Sequence, residues 1–398
     1  MRIAVIFDNF GPYHLARLSA ASERCELLGI EVARRSADYG WHAAAAIAGF
    51  RRTVLIEQGT RQGMDRDLLA ARLHAVLSTF RPEVVAIPGW SFVEAILALR
   101  WCVRNRVPVI LMSESQEIDT TRNRLKEWLK GRCLALCPAA LVGGRSHRAY
   151  LLRLGMPADR VVLGYDAVDN AHFARGVAAA RADASGMRRT LSLPDHFFLA
   201  SNRFISKKNL PLLLRAFACY RKACRRTPWD LVLLGDGPLR AEIESLIAGL
   251  DLDGSVRLPG FRQYDELPAY YGLAEAFVHA STTEPWGLVV NEAMASGLPV
   301  VVSNRCGCAV DLVSHGENGF QFDPTDEAEL ARCLGDVAED DDRRTAMGRA
   351  SRERIRQWGP ERFAHGLHEA AECARRAGPP RRGPIDDLIL RTLIARGT

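Results

Sequence analysis

The chain has 398 residues, of which 48% are hydrophobic and 25% are charged, and its formal net charge is +6. This length exceeds what one hydrophobic core usually supports, so we expect two globular domains. The sequence has no apolar run of 18 residues and no basic motif interleaved with aromatic residues, which argues against a membrane-spanning helix and against nucleic-acid binding. The mild positive charge suits an anionic substrate or a membrane surface.

The ten cysteines are scattered along the chain, with two close pairs at Cys133/Cys137 and Cys306/Cys308. Neither pair is accompanied by a second Cys or His pair at zinc-binding spacing, so we expect buried thiols and no metal site. The first two residues lead directly into the apolar residues 3–7, which predicts a buried strand rather than a signal peptide. We therefore expect a reduced, cytoplasmic protein.

The first half of the chain alternates strand and helix patterns. Strands are predicted at residues 3–7, 31–33, 53–56, 84–88, 107–112 and 141–142, and helices at residues 15–28, 66–80 and 93–104. Strands separated by helices are typical of a parallel, doubly wound sheet. We predict that residues 1–170 form a first Rossmann-like domain.

Residues 171–194 are rich in Ala, Arg and Gly and have little periodicity, which predicts a linker. A second α/β domain is then predicted at residues 195–376. Its strands are predicted at residues 197–201, 229–234, 256–258, 276–279 and 300–303, and its helices at residues 210–225 and 239–250. Apolar residues at helical spacing within residues 385–398 predict a terminal helix that packs on the first domain, and a membrane-surface helix is the alternative.

The most specific pattern lies in the second domain, where Glu284 and Glu292 flank a Pro-Trp-Gly turn that opens a helix. The unpaired N–H groups and the positive end of the dipole at a helix start form an anion site, above all for phosphate. A carboxylate before the helix and another inside it can bind hydroxyl groups around that phosphate. The stretch therefore predicts one half of a sugar-nucleotide site.

Three further segments follow predicted strands of the same domain. Arg203 and Lys208 lie in a loop that leads into a helix, where they can supply positive charge to phosphate oxygens. Gly235 and Gly237 form a turn at the end of a strand, and Phe261 follows a strand at a place where it can meet a flat base. Ligands of α/β domains bind at the carboxyl ends of the strands, so we expect these segments to converge.

In their order and spacing these four segments, within residues 197–323, resemble the second domain of retaining, GT-B-type glycosyltransferases of family 4, whose central motif is Glu-x7-Glu. The resemblance implies an α/β protein of GT-B architecture, with two facing Rossmann-like domains and a cleft between them. It also implies transfer of a sugar from a nucleoside-diphosphate sugar to a hydroxyl acceptor with retention of anomeric configuration, in polysaccharide, glycolipid or glycoconjugate biosynthesis.

The resemblance implies roles for individual residues. Arg203 and Lys208 would neutralise the donor diphosphate, Glu284 would meet the hydroxyls of the donor sugar, and Glu292 would hold the ribose hydroxyls. Such enzymes generally need no metal, so we expect no cofactor. We expect a UDP-sugar, rather than a GDP-sugar, as the donor substrate. The other implied donor-binding positions are Gly235, Gly237, Phe261, Gly287, Leu288 and Val289.

The first domain departs from the family pattern in two places. The family usually has a glycine pair in the first loop, where this chain has only Gly11, and His14 beyond it is a candidate contact to the donor phosphate or the acceptor, or a surface residue at a helix start. The family often has a His after a strand in the middle of this domain, and here Glu114 lies near that position. Glu114 can orient the acceptor hydroxyl or accept its proton, or it can be a polar loop residue.

A run of basic residues interleaved with apolar ones follows Glu114. Its basic members are Arg122, Arg124, Lys126, Lys130 and Arg132. The run predicts either a solvated helix face or a patch that meets the inner face of the cytoplasmic membrane, near a lipid-linked acceptor. The acceptor itself is predicted only as a hydroxyl of a glycan, a lipid-linked sugar or a small molecule.

Two other functions stay open at this point. The first is a sugar-nucleotide epimerase of the same fold, which needs acid and base groups around the donor sugar but no acceptor. The second is a non-catalytic sugar-nucleotide-binding partner of another transferase.

Overall fold

The structure is a computed structural model that describes residues 1–34, 49–57, 65–380, 383 and 385–396. The chain divides into two compact units. Unit 1 comprises Met1–Ala167 and Pro360–Thr398, and unit 2 comprises Val168–Gly359. Each unit contains one sheet of parallel strands with helices packed on it, as the alternation of strand and helix patterns predicts.

Within the described residues, the sheet of unit 1 has seven strands in the order β3-β2-β1-β4-β5-β6-β7. The strands are β1 (Arg2–Phe7), β2 (Glu26–Ala33), β3 (Arg51–Ile56), β4 (Val84–Pro88), β5 (Val109–Ser113), β6 (Ala139–Val142) and β7 (Val161–Leu163). The helices between them are α1 (Pro12–Ser22), α2 (Arg66–Phe80), α3 (Val93–Asn105), α4 (Arg124–Ala135) and α5 (Arg145–Arg153). Residues 3–7 of β1 are all apolar because their alternate side chains enter two different buried clusters, one on each face of the sheet.

Unit 2 has a six-stranded parallel sheet in the order β10-β9-β8-β11-β12-β13. The strands are β8 (Phe197–Ser201), β9 (Asp230–Leu234), β10 (Val256–Gly260), β11 (Ala276–His279), β12 (Val300–Ser303) and β13 (Gly319–Phe322). The helices are α6 (Asn170–Ala182), α7 (Ala184–Leu191), α8 (Leu210–Ala223), α9 (Arg240–Gly249), α10 (Leu267–Leu273), α11 (Leu288–Ala295), α12 (Ala309–Leu312), α13 (Glu327–Glu339) and α14 (Asp341–Ile355).

Residues 171–194, predicted to be a linker, form most of α6 and all of α7. The side chain of Asp169 caps α6 by accepting a hydrogen bond from the His172 N–H at 2.9 Å. Phe173, Val177 and Ala180 recur at helical spacing on the buried face of α6, which packs against α10. The many alanines favour a helix here, and tertiary burial of this apolar stripe stabilises it.

The first helix is also shorter than predicted, because residues 26–28 belong to β2. Glu26, Leu27 and Leu28 pair in register with Arg2, Ile3 and Ala4 of β1. The hydrogen bonds of this strand pair outweigh the helical spacing of apolar residues that the local sequence also contains.

The chain returns to unit 1 after unit 2, as α15 (Pro360–Ala377) and α16 (Asp386–Arg396). Residues 360–376 were predicted to belong to the second domain, but α15 packs on α1 and on the sheet of unit 1. Gly366 allows this contact because a side chain there would lie 2.7 Å from the carbonyl oxygen of Leu163. Helix α16 packs on α3 and α4 of the same unit.

None of the helices in the described ranges combines the length and the apolar composition that are needed to cross a membrane.

Candidate functional site

The loops that follow β8 and β9 are joined by backbone hydrogen bonds. The Phe204 N–H donates to the carbonyl oxygen of Asp236 at 2.8 Å, and the Asn202 N–H donates to that of Leu234 at 2.9 Å. Gly235 has a φ of +116°, and a Cβ there would overlap the carbonyl oxygen of Asn202. The close approach of the two loops therefore requires glycine at this position.

Gly237 lies against the same loop, since a Cβ there would come within 2.7 Å of the carbonyl oxygen of Phe204. The structure thus brings Gly235 and Gly237 beside the loop that carries Arg203 and Lys208, as predicted from their positions after neighbouring strands.

Glu284 forms an ion pair with Lys208, which lies in the loop that follows β8. Glu284 is 8% exposed, and the Nζ of Lys208 donates a hydrogen bond to its Oε2. Three more groups surround the carboxylate: the Oγ of Ser281 donates to it at 3.2 Å, His279 Nε2 lies 3.4 Å away, and Lys207 Nζ lies 3.7 Å away. Positive or hydrogen-bonding groups thus contact both carboxylate oxygens.

These neighbours decide the charge of Glu284. Burial by itself would raise the pKa of Glu284, but the hydrogen bond from His279 and the charges of Lys208 and Lys207 outweigh it and hold the pKa well below its usual value. Burial lowers the pKa of His279, which the nearby carboxylate only partly offsets. At neutral pH the site therefore contains a charged Glu284, which can accept hydrogen bonds from hydroxyl groups.

Helix α11 begins at Leu288, four residues beyond Glu284. Gly287 precedes the helix with a φ of +104°, in the left-handed region that favours glycine. The N–H groups of Leu288 and Val289 are in the first turn, where a helix offers them no acceptor. This start can therefore receive an anion, as the sequence predicts.

The segment between Glu284 and α11 is held in place on two sides. The Gly307 N–H donates to the carbonyl oxygen of Glu284 at 3.0 Å, and the Cys308 N–H donates to that of Trp286 at 3.1 Å. The Trp286 ring is buried, stacks on Trp358 with ring centroids 5.2 Å apart, and donates through Nε1 to Asn291 at 2.8 Å. The tryptophan of the Pro-Trp-Gly turn is thus a structural anchor for the helix start.

Glu292 is fully buried inside α11. The hydroxyl of Tyr271 donates to its Oε2 at 2.7 Å, and burial together with the Glu292 charge raises the pKa of Tyr271 well above its usual value. Tyr271 therefore holds one oxygen of the Glu292 carboxylate in a fixed position.

Arg203 and Phe261 lie on the exposed side of this region. Arg203 follows β8 and is solvent-exposed, and Phe261 follows β10 and is 43% exposed. The residue before Phe261 is tied to the glycine turn, because the Gly235 N–H donates to the carbonyl oxygen of Gly260 at 2.9 Å. Phe261 is thus placed beside that turn with its ring accessible.

In unit 1, His14 is half-buried at the start of α1 rather than on the surface. Its Nδ1 accepts a hydrogen bond from the Gly11 N–H at 3.2 Å, and its ring packs on Phe7 with centroids 4.4 Å apart. Burial and the charge of Arg17 lower the pKa of His14 to about 3. His14 is therefore a neutral side chain that stabilises the helix start.

Glu114 follows β5 directly and neighbours Asp166, a fully buried carboxyl group that the sequence analysis did not single out. Burial and the Glu114 charge raise the pKa of Asp166 well above its usual value, against the opposing charge of Arg17, whose guanidinium lies 3.7 Å away. Glu114 and Asp166 therefore form a pair of carboxyl groups at the edge of the unit 1 sheet where its strands end.

Three neighbours of Glu284 were not predicted from the sequence as site residues: His279, Ser281 and Lys207. His279 is the last residue of a predicted strand, so its place at the carboxyl end of β11 was the signal that could have identified it. Among the described residues, no group of three His, Cys, Asp or Glu side chains is arranged so that it could hold a metal ion.

The basic run in and before α4 is largely used in contacts within unit 1. Arg122 donates to the carbonyl oxygen of Glu117 at 2.6 Å, Lys130 pairs with Glu127 at 2.9 Å, and Arg132 pairs with Asp386. The exposed apolar residues of α4 are Leu125 and Trp128, at 65% and 49% exposure.

Residues 188–354 match the family model described as glycosyl transferases group 1. Two curated relatives are similar to part of this chain. The sulfoquinovosyl transferase SQD2 of Arabidopsis thaliana is 35% identical over 131 residues, and the D-inositol 3-phosphate glycosyltransferase of Corynebacterium kroppenstedtii is 32% identical over 201 residues. These matches cover 32% and 48% of this chain. The chain spans 25% and 44% of the lengths of these two relatives.

Solved structures match over nearly the whole chain. HepE of Anabaena in complex with UDP has a TM-score of 0.72 at 18% identity, covering 93% of this chain and 99% of that chain. Sucrose-phosphate synthase from Thermosynechococcus elongatus has a TM-score of 0.71 at 21% identity, covering 92% and 97%. The predicted GT-B fold, with two Rossmann-like α/β units, is confirmed by these neighbours.

Proposed function

We propose that this chain, whose residues 188–354 match the model of group 1 glycosyl transferases, transfers a sugar from a nucleoside-diphosphate sugar to a hydroxyl acceptor and retains the anomeric configuration. The observation that carries the proposal is the buried, charged Glu284, which lies between Lys208 and His279 directly before a helix start that can receive phosphate. A sugar nucleotide has both groups that this arrangement suits, hydroxyls and a diphosphate.

The donor side of the reaction rests on positive charge supplied by the protein. Lys208, Arg203 and the N-terminus of α11 bind the diphosphate, and they stabilise the negative charge that develops on it as the bond to the sugar breaks. Glu284 accepts hydrogen bonds from the sugar hydroxyls, and Glu292, held by Tyr271, binds the ribose. This arrangement assigns the charge stabilisation to side chains and backbone groups, without a metal.

The transfer is a displacement on one face of the sugar. The bond between the anomeric carbon and the diphosphate oxygen breaks, the acceptor oxygen forms its bond to the same carbon from the same face, and the acceptor proton passes to the departing phosphate oxygen. We assign Glu114, the residue that follows β5, to orienting the acceptor hydroxyl.

The proposed donor is a UDP-sugar, whose base is uracil. The structural neighbour HepE has been solved with UDP and with UDP-glucose, and Phe261 offers an accessible ring for a flat base in the present chain. We expect UDP to raise the melting temperature of the chain more than GDP does, because a ligand that binds the folded state stabilises it. A larger effect of GDP would contradict this choice of base.

The acceptor is proposed as a hydroxyl of a glycan, a lipid-linked sugar or a small molecule. A peripheral membrane contact is proposed for α4, where the exposed Leu125 and Trp128 lie close in sequence to the basic residues Arg124 and Lys126.

The test of the proposal is sugar transfer by the variant Glu284→Ala, measured with a UDP-sugar and an acceptor that the wild type uses. We expect turnover to fall by roughly a hundredfold or more, because the variant loses a charged hydrogen-bond acceptor at the sugar. The matched control is Glu353→Ala, which removes a carboxylate that is 74% exposed in the same unit and should leave turnover unchanged.

Wild-type turnover in Glu284→Ala would overturn the assignment of the site. Incubation of the wild type with nucleotide sugars alone tests for an epimerase, because isomerisation of the donor would then occur in the absence of an acceptor. Binding of the donor without turnover in the presence of acceptors as well would show a non-catalytic partner.

A further inference from the structure

A cavity in unit 2 lies at the edge of the sheet opposite to Glu284. It has a volume of about 300 Å³, and it is lined by the residues before β11 and β12, by α14 and by the end of α6. Glu275 directly precedes β11, and Pro299 directly precedes β12, so the cavity lies at the amino ends of these strands. Glu284 lies beyond the carboxyl end of β11, so the two sites are separate.

Four arginines and one carboxylate face this cavity: Arg181, Arg344, Arg349, Arg352 and Glu275. The Glu275 charge is already balanced, because Arg344 Nε lies 3.2 Å from one carboxylate oxygen and His196 Nδ1 lies 2.9 Å from the other. In the part of the chain that the structure describes, no ion pair joins the other three arginines to a carboxylate. The cavity therefore has an excess of positive charge.

Part of this positive charge lies on two arginines, Arg181 and Arg352, that are close enough to affect each other. Burial lowers the pKa of Arg181, and the nearby charge of Arg352 lowers it further. Arg181 Nε donates to the carbonyl oxygen of Gly272 at 2.8 Å, which holds its guanidinium at the cavity. Two like charges held close together repel each other, and an anion between them would remove that repulsion.

Two glycines shape the wall of the cavity beside Arg352. Gly297 follows α11 with a φ of +77°, and a Cβ there would overlap the guanidinium of Arg352. Gly348 lies in α14, and a Cβ there would overlap the carbonyl oxygen of Gly297. Any side chain at either position would push Arg352 or α14 away, so the place of Arg352 in the wall depends on both glycines.

We propose that this cavity binds a small phosphate-bearing anion, such as a phosphate monoester or a diphosphate, at a site distinct from the one around Glu284. The planar guanidinium of arginine matches phosphate oxygens in geometry as well as in charge. The volume lies at the lower end of the range for small-molecule sites, which fits a ligand of this size. None of the residues that line this cavity takes part in the proposed transferase reaction.

The test is isothermal titration calorimetry of the full chain with pyrophosphate at fixed ionic strength. We compare the wild type with the double variant Arg349→Gln/Arg352→Gln, with Arg181→Gln, and with Lys208→Ala, which weakens the site around Glu284. The matched control is Arg343→Gln/Arg356→Gln, which removes the same charge from nearby exposed positions that do not line the cavity. Thermal unfolding of each variant verifies that it is folded.

We expect a pyrophosphate binding event that survives in Lys208→Ala and in the control, and that weakens at least tenfold in Arg349→Gln/Arg352→Gln and in Arg181→Gln. Loss of all binding in Lys208→Ala would overturn the inference, because pyrophosphate would then bind only around Glu284. Equal weakening in the control would overturn it as well, by showing attraction to general surface charge. Arginine-dependent binding to phosphatidylglycerol vesicles without binding of pyrophosphate would assign the phosphate to a lipid headgroup and exclude a small anion.

Discussion

At the scale of single residues, Glu284 is a carboxylate that remains charged although it is only 8% exposed. A buried charge is costly unless it is paired, and here Lys208, Lys207, Ser281 and His279 all contact the carboxylate. Lys208, Lys207 and His279 lower the pKa of Glu284 and thereby keep it available as an acceptor for hydroxyl groups. Its charge state is thus set by two lysines of the loop after β8 and by a histidine at the end of β11.

This pairing predicts how stability depends on pH. The pKa of Glu284 lies below its ordinary value of 4.5 in the folded chain, so the unfolded chain takes up the proton first on acidification. The stability that the ionised group contributes is fully present above pH 4.5 and is lost as the pH falls through the lowered value. We expect Glu284→Gln to lower the free energy of unfolding by roughly 3 kcal/mol at pH 7, and the gap to the wild type to narrow towards pH 3.

Urea unfolding of the wild type and of Glu284→Gln at several pH values measures this gap. Glu353→Gln is the control, because its exposed side chain should change stability by less than about 0.5 kcal/mol at every pH. A gap between wild type and Glu284→Gln that stays constant from pH 7 to pH 3 would show that Glu284 has an ordinary pKa.

At the scale of elements, the start of α11 depends on the backbone conformation of Gly287. Its φ of +104° is strained for any residue with a Cβ, although a Cβ there would make only ordinary van der Waals contacts, the nearest at 3.5 Å. The cost of a substitution there is therefore conformational rather than steric.

We expect Gly287→Ala to lower the free energy of unfolding by about 1–3 kcal/mol and to weaken nucleotide binding, because the N–H groups of α11 would be displaced. The control is Gly249→Ala at the end of α9, where nothing lies within 4 Å and no left-handed φ is needed. That variant should be neutral or more stable by up to about 1 kcal/mol. Both are measured by denaturant unfolding and by titration with UDP, and equal stability of the two variants would refute the argument.

Helix α16 illustrates how one element is assigned to a unit. Leu390 is 1% exposed within the core of unit 1, and Arg100 Nε pairs with Asp387 at 3.3 Å. Leu388, on another face of the same helix, is 66% exposed. These contacts describe a docked terminal helix, one of the two alternatives for this segment.

Leu390→Ala should lower the free energy of unfolding by about 2–5 kcal/mol, because it leaves a cavity in a packed core. Leu388→Ala, the same substitution on the exposed face, should change it by less than about 0.5 kcal/mol. Thermal or urea denaturation distinguishes the two. Indistinguishable stabilities would mean that α16 does not pack on unit 1 in solution.

At the scale of the whole molecule, the chain enters unit 2 at Val168 and leaves it at Gly359. The segment that matches the group 1 glycosyltransferase model, residues 188–354, lies entirely inside unit 2. Unit 1 contains the residues that depart from the family pattern, Gly11, His14 and Glu114. The part of the chain with the strongest family signal is therefore also a structural unit.

Much of unit 2 could be predicted from the sequence because its signals are local. Glu284, the Pro-Trp-Gly turn and Glu292 lie within nine residues, and a helix start has the same hydrogen-bonding needs in any fold. The place of Lys208 and Gly235 in the site could also be predicted, because both follow strands and ligand-binding residues of parallel sheets lie where strands end. The sequence by itself thus determined the fold class and the candidate donor residues.

Only the tertiary structure decided which distant residues meet. His279 and Lys208 come from different strand ends, and their contact with Glu284 depends on β8 and β11 being neighbours in the sheet. Arg181 and Arg352 are brought to one cavity by helix packing, and α15 joins unit 1 although it follows unit 2 in the chain. Local patterns specify elements, whereas strand order and helix packing arise from the burial of apolar surfaces across the whole chain, which no short stretch of sequence contains.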